Sequence, residues 1–224
     1  MADLLPLFPL GMVPFPGMSV PLHVFEERYL ALVRRLLEKP RPAERLFGIV
    51  AIREGYEVGS HELRSMYRTG CVMQLTSVEE YDDGRFDIVT VGRHRLRVLA
   101  TDTSEPFLQA EVEHLPVDRG DALDSAREAA RTLAAFEEYR TVVSRLRGDD
   151  VMTGGLPRDP ELLSYALAAT CSLTLRERQQ LLESPTAAAR LELLRRLMRS
   201  EVRAIRAVPS LPATEVARSG WSPN

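Results

Sequence analysis

The stretch Leu4 to Leu30, LLPLFPLGMVPFPGMSVPLHVFEERYL, decides how the first half of the chain is read. Two short apolar runs are broken by Pro6, Pro9, Pro14, Pro16 and Pro21, and a helix signal follows. Proline has no amide donor and a fixed φ, so neither run suits a helix or the middle of a regular sheet. Strand segments at an edge or bend are expected, joined by a turn at Phe15-Pro16-Gly17, where glycine supplies a positive φ. From Glu26 to Glu38 the stripe Tyr29, Leu30, Val33, Leu36 and Leu37 predicts one amphipathic helix.

Beyond the helix the pattern alternates with period two. Leu46 to Ile52 (LFGIVAI) reads as a buried strand. Cys71 to Val78 and Phe86 to Val91 flank Tyr81-Asp82-Asp83-Gly84, a hairpin signal. Arg95 to Ala100 and Leu108 to His114 continue the series, and short strands at close spacing predict a compact barrel or rolled sheet. At Pro116 to Asp121 the period becomes helical. Leu123, Ala126, Ala130, Leu133, Phe136, Val143 and Leu146 mark a long helix. Asp159-Pro160 is a helix start, Thr174 and Glu177 have capping-box spacing, and Ser184-Pro185 opens the last helix. The expected division is 1–117 as a β subdomain, 118–206 as a helical bundle, and 207–224 as a disordered tail that carries Trp221.

The 224 residues suffice for one large domain or two small ones. A net charge of −3 and a pI near 5.9 provide no global basic field for nucleic acid or anionic membrane. Cys71 and Cys171 lie too far apart in sequence to form a paired ligand motif, and reduced thiols in the cytoplasm are the expectation. The proline-broken N-terminus has no basic region and is a poor signal peptide, and no apolar run is long enough to cross a bilayer.

The order Pro-Leu-Phe-Pro-Leu, turn, Phe-Pro-Gly, short strand, Phe-Glu-x-Arg-Tyr helix resembles the N-terminal, substrate-binding domain of the Lon proteases, and most of all the stand-alone bacterial versions. Further matches follow in the family's order: Phe47-Gly48-Ile49-Val50, Tyr67-x-x-Gly70-Cys71-Val72, Asp83-Gly84-Arg85-Phe86, Val91-Gly92-x-x-Arg95-Leu96-Arg97-Val98 and Glu105-Pro106-Phe107-Leu108. In the second half, Leu173-x-Leu175-x-Glu177-x-Gln179-x-Leu181-Leu182-Glu183 resembles the same family. The resemblance implies an α+β fold: an N-terminal PUA-like β-barrel with one helix, then a C-terminal α-helical bundle. It implies a non-catalytic module that recognises unfolded or damaged protein segments, with a separate protease or chaperone as a further partner.

Full-length Lon couples an ATPase to a serine–lysine peptidase, and each needs a lysine. Lys39 is the sole lysine; it precedes Pro40 and follows no glycine run, so it fits neither a phosphate-binding loop nor a buried dyad. No enzyme activity and no cofactor are therefore expected. His23, His61, His94 and His114 are scattered, with no metal-ligand spacing.

Two constellations remain as candidate sites. Met12, Phe15, Met18, Met66 and Tyr67 mix flexible thioethers with rigid rings, a composition suited to binding polypeptide, although the same residues could serve as core. Arg93, Arg95 and Arg97 alternate along a predicted strand and so share a face. They could hold a carboxylate or phosphate, or face water neutralised by Glu79, Glu80, Asp82 or Asp87. The arginines favour an alternative reading, RNA or nucleotide-ligand binding through the barrel, which the acidic pI disfavours.

Overall fold

The computed structural model describes residues 3–53, 65–116, 120–148 and 155–207. The expected tail, including Trp221, lies outside them. Among these residues six strands precede four of the five helices: β1 (Asp3–Leu10), β2 (Ser19–Val24), α1 (Glu27–Leu37), β3 (Leu46–Ala51), β4 (Thr69–Glu80), β5 (Phe86–Asp102), β6 (Gln109–His114), α2 (Ala122–Arg147), α3 (Pro160–Thr170), α4 (Leu175–Glu183) and α5 (Ala187–Ala207). Two compact units form: Met1–Val117 with Arg178–Glu183, and Asp118–Glu177 with Ser184–Asn224. The short piece 178–183 thus belongs with the strands, where sequence reading placed it in the helical segment.

The strands pair in the order β2-β5-β4-β3-β1-β6, and β5 also pairs with β6. β1 shows how a proline-rich strand is accommodated between two neighbours. Asp3–Pro6 pair with β6 and Leu7–Leu10 pair in parallel with β3, so each half is hydrogen-bonded along one side. Neither Pro6 nor Pro9 then breaks a two-sided ladder. β5 is a single strand of 17 residues, not the two shorter strands expected. Its register against β4 jumps from Val72↔His94 to Met73↔Gly92, which leaves Arg93 as the extra residue of a bulge.

Alternation along β3 and β4 divides the core of this unit between the two faces of the sheet. Phe47, Ile49, Cys71 and Met73 pack with Val20, Val24, Phe86, Ile88 and the α1 residues Tyr29, Leu32, Val33 and Leu36. Val50 and Val72 pack with Leu7, Met66, Leu96, Val98, Ala110 and Val112. The Phe8 and Tyr29 rings stack at 3.7 Å. Burial pushes the Tyr29 phenol up to about 12, so it stays a neutral core ring.

In the helical unit the capping signals operate locally. Asp159 Oδ1 accepts from the amides of Glu161 and Leu162 at 3.1 and 3.0 Å. Glu177 accepts from the Thr174 amide at 2.7 Å. The last helix begins later than Ser184-Pro185 implies, because Thr186 Oγ1 takes the Ala189 amide at 3.1 Å. A cation–π contact sits inside this unit: the fully buried Arg190 guanidinium lies 3.9 Å from the Tyr165 ring centroid and donates to Ser164 Oγ at 2.8 Å.

Backbone hydrogen bonds join the opening segment to β5. The Gly17 amide donates to the Gly92 carbonyl and the Gly92 amide to the Met18 carbonyl, both at 2.9 Å. A Cβ on Gly92 would lie 2.2 Å from the Phe15 carbonyl oxygen, so only glycine fits. Gly17 differs: its φ is +80° and the space around it is open. Gly92→Ala is expected to cost more than about 2 kcal/mol, and Gly17→Ala about 1 kcal/mol. Urea melts of both variants check this; an equal or larger loss in Gly17→Ala would contradict it.

Candidate functional site

β2 has one strand neighbour, β5, and their shared register sets an exposed face. Val20, Leu22 and Val24 oppose Thr90, Ile88 and Phe86 on the core side. Ser19, Pro21 and His23 oppose Val91, Val89 and Asp87 on the other side. Across β4, Ser77 and Glu79 pair with Val89 and Asp87 and extend that second face. Phe25 follows β2 with 47% of its surface exposed, and Tyr81, at the β4–β5 turn, is 39% exposed.

The Tyr81 side chain is tied to its neighbours. Asp87 receives the Tyr81 hydroxyl at 2.6 Å, and its other oxygen lies 2.6 Å from His23 Nδ1. His23 is 6.0 Å from the Phe25 ring and 6.2 Å from the Tyr81 ring, centroid to centroid. The Tyr81 hydroxyl and then His23 hold the Asp87 carboxyl below its usual range, and the same carboxylate raises the Tyr81 phenol. Arg85 pairs with Asp83 at 2.6 Å and stands 6.0 Å above the Tyr81 ring. The result is an apolar and aromatic strip, Pro21, Phe25, Val89 and Tyr81, edged by charge. Of its members the sequence points only to Phe25, as part of the apolar opening; the rest become neighbours through strand pairing.

The expected apolar site is not open. Phe15 is 0% and Met66 1% exposed. Phe15 was expected beside an exposed turn; the close approach of its backbone to Gly92 draws the ring inward instead. Met12 and Met18 are half-buried against the core. Tyr67 is half-buried beneath the Arg53 guanidinium, 5.2 Å from its ring centroid.

The arginine row also dissolves. Arg93, at the bulge, donates to Gln74 Oε1 at 2.6 Å. Arg97 pairs with Glu113 at 3.5 Å. Arg95 is buried and donates to the carbonyls of Leu182 and Pro116 at 3.1 and 3.3 Å. There it serves the carbonyl end of α4, which favours a cation. Gln179, also buried, donates to the Thr69 carbonyl at 3.0 Å, so two polar side chains fasten 178–183 to β4 and β5.

His94 and His114, twenty residues apart, have ring nitrogens 2.7 Å from each other. One ring must donate while the other accepts, so the pair resists double protonation. Burial, then the neighbouring His114, lowers the His94 pKa. Cys71 and Cys171 are both buried, and burial pushes the Cys71 thiol up to about 12. Among the described residues no three His, Cys, Asp or Glu side chains gather as a metal site, and no helix is long and apolar enough to cross a membrane.

Comparison with known proteins places this arrangement. Residues 4–200 match the model of the ATP-dependent protease La (LON) substrate-binding domain. The chain belongs to that family. Lon protease 2 of Herpetosiphon aurantiacus is 28% identical over 182 residues, which cover 80% of this chain and 22% of that protein. Escherichia coli Lon protease is 24% identical over 199 residues, 88% of this chain and 25% of that protein. The chain thus spans about a quarter of the length of these curated relatives. Among solved structures, the Lon N-terminal domain protein from Xanthomonas campestris superposes with a TM-score of 0.58 at 25% identity, over 86% of this chain and 96% of its own. The N-terminal domain of the Mycobacterium avium complex Lon protease gives 0.62 at 18% identity, over 88% and 98%, and shares the fold.

Two outcomes follow from the site geometry. Arg95→Ala leaves two carbonyls without a donor and should cost about 2–3 kcal/mol, whereas Arg93→Ala should cost under about 0.5 kcal/mol. Equal denaturation midpoints for the two variants would contradict this. The His94 pKa lies below its unfolded value near 6.5, so the unfolded chain binds the extra proton first. Stability should hold above about pH 6.5 and fall as pH drops through the His94 pKa, less steeply in His94→Asn. Thermal melts between about pH 7.5 and 5 test this; parallel profiles for the two proteins would refute it.

Proposed function

We propose that the chain is a non-catalytic recognition module that binds exposed apolar segments of unfolded or damaged polypeptide and presents them to a separate protease or chaperone. The observation that carries the reading is the Pro21, Phe25, Val89 and Tyr81 strip, whose Tyr81 ring is tied to Asp87, in a member of a substrate-binding family. Pre-ordered aromatic rings lose little entropy when covered, and each Å² of apolar area buried contributes about 25 cal/mol. The ring of pairing β5-β4-β3-β1-β6-β5 supports the PUA-like barrel, and α2, α3 and α5 support the helical bundle.

The absence of catalysis belongs to the same proposal. Lys39 is exposed in the turn after α1, and both thiols are buried. Reduced cysteines also support a cytoplasmic location. The alternative, RNA or nucleotide binding, drew on the arginine row and loses that support with Arg95 buried and the three side chains on different partners.

Phe25→Ser/Tyr81→Ser alters exposed residues and should keep the fold while weakening binding to a reduced, denatured model protein at least about fivefold, with little dependence on salt. Unchanged affinity in that variant would reject the surface. The purified chain should hydrolyse neither ATP nor peptides; turnover that survives purification and vanishes in Lys39→Ala would reject the non-catalytic reading.

A further inference from the structure

The helical unit carries a charged groove that the apolar surface leaves unexplained. It has a volume of about 450 Å³ and is lined by Glu138 of α2 and by Arg196, Arg199, Val202, Arg203 and Arg206 of α5. The arginines are spaced three, four and three residues apart, so they share one helix face. Arg206 pairs with Glu138 at 2.9 Å. Arg196, Arg199 and Arg203 are exposed and make no ion pair with the described residues. The groove thus holds a surplus of positive charge in a chain whose net charge is −3.

We propose that this α5 groove binds an extended acidic segment of another polypeptide. Guanidinium groups take carboxylates through paired N–H donors. Arg196 and Arg203 stand about 10 Å apart along the helix axis at 1.5 Å per residue. Carboxylates three residues apart on an extended chain of polyproline-II form, with three residues per turn and a rise of about 3.1 Å per residue, share a face and are separated by about the same distance. Nucleic acid is a poorer fit: no aromatic side chain lines the groove for base stacking. The class of ligand rests on the polypeptide-recognition reading, while the groove is a separate surface from the strip around Phe25.

The test is fluorescence anisotropy with a labelled peptide of about twelve residues carrying Glu at every third position, and with its Gln counterpart. The intact chain should bind the Glu peptide and not the Gln peptide, more weakly as salt rises from about 50 to about 500 mM. Arg196→Gln/Arg199→Gln/Arg203→Gln should keep its helix content and lose about tenfold in affinity, while Arg93→Gln/Arg97→Gln binds as the unaltered chain does. Equal binding of the two peptides, no loss in the α5 variant, or tighter binding of a single-stranded oligonucleotide would overturn the proposal. Binding of denatured protein is measured in parallel. If it persists in the α5 variant but the Glu peptide never binds, the groove proposal alone fails. If the Glu peptide binds but denatured protein never does, the apolar reading fails instead.

Discussion

Two stretches of backbone meet where the opening segment crosses β5, and there is no room for a side chain between them. The Phe15 carbonyl lies where a Gly92 Cβ would stand, and the amides of Gly17 and Gly92 close the contact with two hydrogen bonds. This contact seats β2 along the first half of β5. It sends Phe15 inward, places Val20 and Val24 over the core, and leaves Pro21 and His23 facing out. The bulge at Arg93 follows immediately, and it allows one long strand to serve β2 and β4 at one end and β4 and β6 at the other.

Local signals act where the sequence places them. Asp159, Thr174 with Glu177, and the turn before Arg85 act as their spacing implies, because each is satisfied within a few residues of itself. The long-range features were not legible. The role of Gly92 is set by a close backbone approach and that of Arg93 by a bulge. Alternation puts Arg93, Arg95 and Arg97 on one face, yet burial of Arg95 against the Leu182 carbonyl of α4 depends on a helix more than eighty residues away in sequence. Phe15 beside Pro-Gly suggested exposure; its backbone environment dictates the reverse. The Tyr81–Asp87–His23 network and the His94–His114 pair join residues on different strands, and no spacing rule reaches them.

The molecule separates two kinds of polar group. Arg95, Gln179 and Arg190 are buried with named acceptors or an aromatic ring, and they specify how their own units pack. Removing one partner from such a set costs more than the contact itself contributes, since a desolvated group is left behind. The exposed charges at Asp83, Arg85 and Asp87 do different work. They fix the orientation of aromatic rings that remain available to solvent. A surface that is apolar, ordered and edged by charge suits a ligand without a fixed sequence, because burial supplies affinity and little depends on matched hydrogen bonds.

Hydrogen–deuterium exchange of the chain, alone and with a reduced, denatured model protein, tests the central claim most directly. The account predicts new protection in 19–25 and 81–91, which carry the outward face of β2 and its neighbours. Protection confined to 10–18 or to 93–97, or none at saturating client, would contradict it.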